Sequence, residues 1–587
     1  MKNVEPPVND TSDETAARGS SSDDATQLRT PGMSGLLLRF LLGAILVSSC
    51  LLSCLLLRTD RFGAYHDDGI YVATAKALAE GRDYRIISLP DEPAQTKYPP
   101  FYPFLLSLIW RVYPEFPQNL IWMMLLSVVA TMCFLLASWI YLARNEYATH
   151  RQGLIVVALT ALNWRTMILA TSVYSEMLFA LLAVGALHFA EKHEKSPNSL
   201  PAGLIAGVLV GLAFLTRSSG VALVISLAAY FVLRRQWKKA LLPVAVASVL
   251  VIGWVAWCYV NKTSAQSLNT PYYTSYLGHL SQVVGDLQSQ SGSSKAAVLL
   301  GIAVENLVGG VLISVPLVCA GLSYGAFAGV SGPVLVAALC AAFLILVLIA
   351  MGFFRSITDR VRLLHIYLLA CLGLYLLWLP GVSYDRFLMP LLPFLLFFLV
   401  RELGLLVVLA RNGMQSASGG KRISGSLIRL MLIFVVGLTL YGYVSGAATS
   451  FAGLRTSASR AAEDSQAIAW IKEHTEASEN LMCYRDPKFF LYTGHKAVRP
   501  FPMTEGYSWE EDDASMDKLA RSIFRIIQES QGRFVVVTSS DFELEDRPEQ
   551  HRKTLNKLIE SHPETFVLVF ESPDRRSQIY RITKTTT

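Results

Sequence analysis

The chain has 587 residues, of which 52% are hydrophobic and only 16% are charged, and its formal net charge is +6. Soluble domains average about 25% charged residues and lack repeated apolar runs of about 20 residues, the length that crosses a bilayer. The composition therefore excludes an ordinary soluble protein and predicts a helical membrane protein with many spans. No basic cluster interleaved with aromatic residues suggests a nucleic-acid face.

The N-terminal segment, residues 1–34, is rich in Ser, Thr, Asp and Pro and is predicted to be a disordered cytoplasmic tail. It does not resemble a signal peptide, and the first apolar run, 35–57, is long enough to remain as a spanning helix. Only Cys483 of the eight cysteines lies in a polar region, and the chain has no CxxC motif or Cys/His cluster. The cysteines therefore predict neither a disulfide framework nor a zinc site.

Basic residues recur in alternate loops, which the positive-inside rule places in the cytoplasm. Between two cytoplasmic loops the chain must cross the membrane an even number of times, and this predicts three helical hairpins followed by a last span near 428–447. The basic loops are 144–151, 192–195, 234–239, 355–362 and 411–429, and the hairpin helices are predicted near 153–171 and 174–190, 202–216 and 218–233, and 363–380 and 387–409.

The interval 240–353 does not fit this count, because it begins and ends inside but holds three apolar stretches, 240–260, 305–328 and 333–353. Either part of 296–330 lies on the outer surface or re-enters, or the region crosses once more. The Gly-rich run GLSYGAFAGVSG suits an irregular segment. We expect about 11 transmembrane helices, with about 13 as the alternative.

This topology divides the chain into the tail, a transmembrane domain over 35–449 and an exported region over 450–587. It places the first loop, 58–118, on the outer face. In the exported region helices are predicted in AAEDSQAIAWIKEH, DDASMDKLARSIFRIIQES and PEQHRKTLNKLIESH, and strands in RFVVVTSS, TFVLVFES and SQIYRIT. Helices that alternate with strands predict a small extracytoplasmic α/β domain, in which no residue suggests catalysis.

Two adjacent acids, Asp67 and Asp68, open the predicted helix of YHDDGIYVATAKALAEG in the first outer loop. A helix N-terminus favours negative charge, and one Asp often caps it. A second Asp at the membrane surface can act as a general base toward a hydroxyl. Glu176, in SVYSEMLFALLAVG, is another candidate acid because a carboxylate is unfavourable at the start of an apolar helix. Capping its own helix and pairing with Arg165 are equal alternatives for Glu176.

Three cations are predicted on the outer face, where the topology makes basic residues rare: Lys97 in QTKYPPFYPFLL, Arg217 in FLTRSSG and Arg386 in SYDRFLMPLLP. Such cations need anionic partners, and a lipid phosphate is a suitable one. The alternative is that each reaches the headgroups or pairs locally, as Arg386 could with Asp385. His66 could tune the acid pair, but without a second ligand nearby we expect a structural role and no metal site.

The segments HDDGIY, KYPPFYPFLL, YSEMLF, FLTRSSG and YDRFLMPLLPFLLFFLV, in that order, resemble the GT-C superfamily of membrane glycosyltransferases. They are most similar to glycosyltransferase family 39, with its protein O-mannosyltransferases and lipid A aminoarabinose transferase, over about residues 36 to 410. The resemblance implies an inverting hexosyl or pentosyl transferase that moves a sugar from a polyprenyl phosphate to a hydroxyl of a lipid, glycan or protein. It further implies the outer face of a bacterial inner membrane and no cofactor.

The resemblance also implies roles for the residues already singled out. Asp67 corresponds to the catalytic carboxylate, Asp68 stands where many members have Glu, and Glu176 falls where relatives often carry a second acid. Cations would stabilise the departing phosphate while a carboxylate activates the hydroxyl from the opposite side. The expected phosphate ligands are Lys97, Arg217 and Arg386, and the expected further pocket residues are His66, Tyr71, Tyr98 and Tyr384.

The competing class is a multi-pass transporter of a polar or lipid-linked substrate, because charges inside a membrane also mark transport paths. The chain shows no internal repeat between its halves, and its long polar first loop is unusual for a transporter. A third class, polymerases or ligases of lipid-linked glycans, would favour a large late loop between spans. Here the late polar region is terminal instead.

Overall fold

The computed structural model describes residues 35–64, 66–196, 199–262, 269–322, 332–378, 384–415, 419–501, 513–539, 541 and 548–583. The predictions made for residues 1–34 and for most of GLSYGAFAGVSG lie outside these residues.

The first half of the described chain is helical. Its helices are α1 (Gly35–Leu55), α2 (His66–Ala79), α3 (Phe101–Val112), α4 (Leu120–Arg144), α5 (His150–Leu162), α6 (Trp164–Ala170), α7 (Glu176–Lys195), α8 (Leu200–Thr216), α9 (Val221–Leu233), α10 (Trp237–Val260), α11 (Thr270–Thr274) and α12 (Tyr276–Ser291).

The second half continues with helices and then adds a sheet. The helices are α13 (Lys295–Asn306), a π-helical stretch (Leu307–Ser314), α14 (Val315–Cys319), α15 (Pro333–Asp359), α16 (Leu363–Leu376), α17 (Tyr384–Leu388), α18 (Leu392–Gln415), α19 (Gly419–His474), α20 (Asp486–Thr493), α21 (Asp513–Ser530) and α22 (Pro548–Ser561). The strands are β1 (Asn480–Cys483), β2 (Ala497–Val498), β3 (Gly532–Thr538), β4 (Phe566–Glu571) and β5 (Ser577–Ile582).

Seven helical segments of the described chain are long and apolar enough to cross a membrane, and α5 with α6 makes an eighth if this pair, bent by 65°, is one span. The bend falls at Asn163, whose extended backbone leaves the helix and whose side chain caps α6 by accepting from the Arg165 amide. Shorter apolar helices, among them α8 and α16, supplement these spans. The chain is therefore a multi-pass membrane protein, and the count of about 11 spans stays a prediction.

The ambiguous interval contains a continuous helical segment from α13 to α14, and this segment, Lys295–Cys319, is one of the seven that are long and apolar enough to cross a membrane. In its middle, Asn306 donates from Nδ2 to the carbonyls of Leu376 and Trp378, at 3.1 and 2.8 Å. Near its C-terminal end the Val318 carbonyl accepts from Asn163 at 2.9 Å. The number of crossings in this interval stays a prediction.

Small residues allow the helices to pack closely, as is common where lipid replaces water around a bundle. A Cβ atom at Gly207 of α8 would lie 2.6 Å from the Pro243 carbonyl oxygen of α10. A Cβ atom at Gly352 of α15 would lie equally close, 2.6 Å, to the Phe398 carbonyl oxygen of α18. Both positions therefore exclude a side chain.

The C-terminal domain contains a five-stranded sheet in the order β2-β1-β3-β5-β4, in which β1 is parallel to β2 and β3, and β5 is antiparallel to β3 and β4. The predictions for α21, α22, β3, β4 and β5 are confirmed. The predicted helix AAEDSQAIAWIKEH is the end of α19, which runs for 56 residues from the bundle into this domain. The predicted boundary at 449/450 therefore lies inside one continuous helix, whose Ala467 and Ile471 are buried in the core of the domain.

A substitution in α8 tests its close contact with α10. Gly207→Val places two methyl groups against the Pro243 carbonyl, and overpacking of this kind typically destabilises by about 1–3 kcal/mol. We expect a lower thermal midpoint in detergent. Gly253→Val on α10 is the matched control, because Gly253 has no neighbouring atom within 4 Å of an added Cβ. Equal midpoints for the two variants would contradict the packing.

Candidate active site

Asp67 lies in the first turn of α2, and its carboxylate is held by two distant segments. The Tyr98 hydroxyl donates to Oδ1 at 2.6 Å, and Arg386 Nη2 donates to Oδ2 at 3.0 Å. The Asp67 side chain remains 26% exposed. It is thus a fixed carboxylate that a substrate hydroxyl could still reach.

A buried carboxylate, Glu176, joins the two arginines of this site. Its Oε1 atom accepts from Arg386 Nε at 2.8 Å and lies 3.0 Å from Arg217 Nη1, and its side chain is 1% exposed. Arg165, the expected partner of Glu176, instead forms an ion pair with Asp385, and Asp385 contacts Arg386 through the Arg386 backbone amide at 2.9 Å. Glu176 therefore fixes two guanidinium groups beside Asp67.

Lys97 lies among aromatic rings, close enough to Asp67 for the two charges to influence each other. Its Nζ atom donates to the Tyr272 carbonyl at 2.5 Å and lies 4.3 Å from the centre of the Tyr272 ring and 5.2 Å from that of Tyr276. Cation–π contacts of this kind stabilise a desolvated ammonium group. Burial lowers the pKa of Lys97 to about 8, against the opposing charge of Asp67. The ammonium form therefore still predominates at neutral pH.

The protonation state of Asp67 follows from its partners. Burial alone would raise the pKa of this carboxyl, but the charge of Arg386 and the hydrogen bond from Tyr98 hold the pKa below its usual value, and Lys97 acts in the same direction. A carboxyl group with such neighbours is ionised at neutral pH.

Asp68 has a different environment, although it is adjacent in sequence. It is buried, and its carboxylate accepts from the backbone amides of Gly63 and Gly69 at 2.8 and 2.7 Å, which closes the turn before α2. Burial raises the pKa of Asp68 to about 7, with a further contribution from Asp67 and against those two amide hydrogen bonds. The structure thus directs Asp68 into the turn and away from the arginines.

Two of the predicted pocket tyrosines lie at the edge of this cluster. The Tyr71 hydroxyl is 3.1 Å from Ser175 Oγ, which also accepts from Arg217 Nη1 at 3.1 Å. The Tyr384 hydroxyl donates to Asn306 Oδ1 at 2.6 Å, and its ring lines an apolar cavity. The lining residues of this cavity are Asn306, Gly310, Val311, Leu372, Tyr375, Trp378, Tyr384, Phe387 and Leu388.

The apolar cavity adjoins the cation cluster through Phe387. This ring lines the cavity, and its centre is 5.4 Å from the guanidinium carbon of Arg217. An apolar space and a group of cations therefore lie side by side, which suits a ligand with an anionic head and a hydrocarbon tail.

His66 contacts the C-terminal domain and not a metal ligand set. Its Nε2 atom is 2.9 Å from Asp486 Oδ1, and its Nδ1 atom is 3.3 Å from the Tyr272 hydroxyl. Burial lowers the pKa of His66, against the charge of Asp486. In the described part of the chain, no group of three or more His, Cys, Asp or Glu side chains could hold a metal ion.

Sequence reasoning missed several residues of the site. Tyr272 and Tyr276 belong to TPYYTSY, and an aromatic run of this kind in a polar loop is a signal that is visible in the sequence. Ser175 and Asp486 carried no signal, because each contacts the site only through the packing of distant segments.

Comparisons with known proteins agree with this architecture. Residues 96–380, just under half of the chain, match the model of glycosyltransferase family 87. None of the curated proteins compared with the chain matches it. Membership in family 39 stays a prediction.

Solved structures are similar over most of the chain. The apo structure of ArnT from Cupriavidus metallidurans has a TM-score of 0.51 at 13% identity, covering 92% of this chain and 97% of that one. The Archaeoglobus fulgidus oligosaccharyltransferase tethered with an acceptor peptide has a TM-score of 0.53 at 13% identity, covering 93% of this chain and 74% of that one. The chain therefore has the GT-C fold with a C-terminal sheet domain, and the family match supports a glycosyltransferase.

The pKa of Asp68 predicts how stability depends on pH. The folded-state pKa of about 7 lies above that of an ordinary carboxyl, so the folded protein binds this proton more tightly and loses stability as pH rises through that value. We expect the thermal midpoint to fall between about pH 5 and pH 8, and to fall less in Asp68→Asn. Asp517→Asn, which changes an exposed Asp on α21, is the control and should keep the wild-type slope over this range. Identical slopes for wild type and Asp68→Asn would refute the assignment.

Proposed function

We propose that the protein is an inverting glycosyltransferase that moves a sugar from a polyprenyl phosphate to an acceptor hydroxyl at the extracytoplasmic face of a bacterial inner membrane. One observation carries this proposal: an ionised, partly exposed Asp67 is paired with Arg386 in a cation cluster that adjoins an apolar cavity, and the aromatic-lined Lys97 also acts on its charge. A hydroxyl acceptor needs the carboxylate, and a lipid phosphate suits the cations and the cavity.

The proposed reaction is a single displacement. Asp67 takes the proton of the acceptor hydroxyl while the oxygen attacks the anomeric carbon, and the carbon–oxygen bond to the phosphate breaks on the opposite side. The electron pair leaves with the polyprenyl phosphate, whose added charge Arg217, Arg386 and Lys97 would stabilise. One displacement inverts the configuration at the anomeric carbon.

Arg386 has a double role in this proposal. It neutralises Asp67 in the described structure, which makes Asp67 a weak base. A donor phosphate that binds Arg386 competes for the same guanidinium, so the pKa of Asp67 would rise toward the range in which a carboxylate accepts a proton effectively. Donor binding would thus prepare the base before the acceptor reacts.

The donor class is supported by similar proteins. One structure of ArnT is bound to undecaprenyl phosphate, with a TM-score of 0.51 at 13% identity to this chain, and one structure of the archaeal oligosaccharyltransferase AglB is in complex with a dolichol-phosphate, with a TM-score of 0.50 at 12% identity. The cavity lined by Trp378, Tyr384 and Phe387 has the apolar lining that contact with a hydrocarbon chain requires.

The function is tested by glycosyl transfer. Membranes containing wild type, Asp67→Asn or Asp68→Asn are offered a panel of polyprenyl-phosphate sugars and acceptor extracts. We expect Asp67→Asn to lower transfer by at least about a hundredfold, a typical loss for a general base, because the amide cannot take the proton. Asp68→Asn is the neighbouring control and should retain most activity. Transfer that survives Asp67→Asn would refute the role of Asp67, and no transfer with any donor would favour the transporter class.

The phosphate site is tested by binding alone. Arg386→Lys keeps the charge but loses the planar fork that suits phosphate, and hydrogen bonds to charged groups contribute about 1.5–3 kcal/mol. We expect purified Arg386→Lys to bind undecaprenyl phosphate about tenfold more weakly in a titration. Arg58→Gln, an exposed arginine that pairs with Asp60, is the control and should bind as wild type does. Equal affinities for wild type and Arg386→Lys would argue against this phosphate site.

A further inference from the structure

The C-terminal domain contacts the turn that carries Asp67. The start of α20 packs on the start of α2, where two glycines leave room for it. A Cβ atom at Gly69 would lie 2.7 Å from Pro487 Cβ, and one at Gly63 would overlap the Lys488 side chain. Gly63 also has a φ of 81°, which a side chain disfavours. The glycines around the catalytic turn therefore bring a segment of another domain into direct contact with it.

This contact is held from the membrane side. Asp464 lies on α19 and is buried, and its carboxylate accepts from Arg485 Nη1 and Nη2 at 2.8 and 3.0 Å and from Lys488 Nζ at 2.6 Å. Because α19 is continuous with the last span, the position of α20 follows from the transmembrane bundle and not from a flexible linker.

One carboxylate reaches from α20 into the candidate site. Asp486 is fully buried; its Oδ1 atom lies 2.9 Å from His66 Nε2 and 3.6 Å from Arg499 Nε. The other ring nitrogen of His66 is 3.3 Å from the Tyr272 hydroxyl, and the Tyr272 carbonyl accepts from Lys97. A series of contacts thus runs from the C-terminal domain toward Asp67 and Lys97. Asp486 reaches Asp67 through His66, the residue that precedes it in the chain, and it reaches Lys97 through His66 and Tyr272.

The alternative is that Asp486 only stabilises α20. An Asp in the first turn does favour its helix. A fully buried carboxylate however contributes little net stability, because the free-energy cost of its desolvation offsets much of its attraction to a charged partner. The second oxygen of Asp486 makes no hydrogen bond in the described structure, so the group is not placed for maximal stability. Its Oδ1 atom makes a short contact with His66, the residue before Asp67.

We propose that Asp486 is a positioning residue through which the C-terminal domain completes the active site: it orients His66 and, through Tyr272, the loop that holds Lys97. The catalytic consequence rests on the proposed function, whereas the orientation does not.

The orientation is tested without a substrate by hydrogen exchange of the full chain in nanodiscs. In Asp486→Asn we expect faster amide exchange in peptides that cover residues 66–72 and 270–276, because His66 and Tyr272 lose a fixed partner. Asp574→Asn, an exposed Asp of the same domain, is the matched control and should leave these peptides unchanged. Faster exchange confined to α20 and the sheet would overturn the proposal.

The catalytic consequence is tested by a double-mutant cycle on transfer activity. We expect kcat to fall about tenfold to a hundredfold in both Asp486→Asn and His66→Gln, in line with a small misplacement of reacting groups, with little change in donor KM. If Asp486 acts through His66, the double variant falls no further than the more impaired single variant. Additive losses would overturn the proposal. Failure of wild type to transfer any sugar would instead overturn the proposed function, and the exchange experiment would still decide the orientation.

Discussion

The candidate site depends on one buried carboxylate, Glu176, that binds two guanidinium groups through a single oxygen. An unpaired charge in an apolar helix is strongly unfavourable, and two arginines crowded together repel each other. Each group is therefore stable only because the others are present. Glu176 begins α7, Arg217 ends α8, and Arg386 lies in α17, so this cluster ties three separate helices together at one depth.

The same cluster determines where Asp67, the proposed base, lies. Arg386 pairs with both Glu176 and Asp67, which places the first turn of α2 beside the start of α7 and the end of α8. On its opposite side α2 is held by α20 and the Gly63 turn. A helix that is not itself a span is thus fixed between the bundle and the C-terminal domain, and Asp67 needs no flexible loop to reach the cations.

The sequence predicted the parts of this arrangement that leave a trace in composition or charge. Lys97, Arg217 and Arg386 were recognisable because basic residues are rare in the loops predicted to lie on the outer face. The late strands were recognisable because apolar residues alternate or cluster there. The partners of Glu176 were not predicted from the sequence, which suggested a helix cap or a pair with Arg165, because only the fold brings Arg217 and Arg386 to this carboxylate. The two adjacent acids also diverge for a reason invisible in sequence: in the first turn of a helix, successive side chains point about 100° apart. Asp67 therefore faces Arg386, and Asp68 faces the Gly63 amide.

The short strands β1 and β2 and the contact of Asp486 with His66 were also not predictable from the sequence. They depend on contacts between segments that are far apart in the chain.

The charges of the site also bear on the order of events in the proposed reaction. Before the donor binds, Asp67 and Glu176 oppose three cations, Lys97, Arg217 and Arg386, so the site retains an excess of positive charge that attracts a phosphodiester. In the transition state the leaving phosphate gains negative charge while Asp67 gains a proton, and the cations stabilise this state more than the ground state.

The same attraction would retain the product phosphate. Loss of the proton from Asp67 counteracts this retention, because the ionised carboxylate again competes for Arg386 and the affinity for the product phosphate falls. One arginine shared between a base and a phosphate can thus serve both bond cleavage and product release.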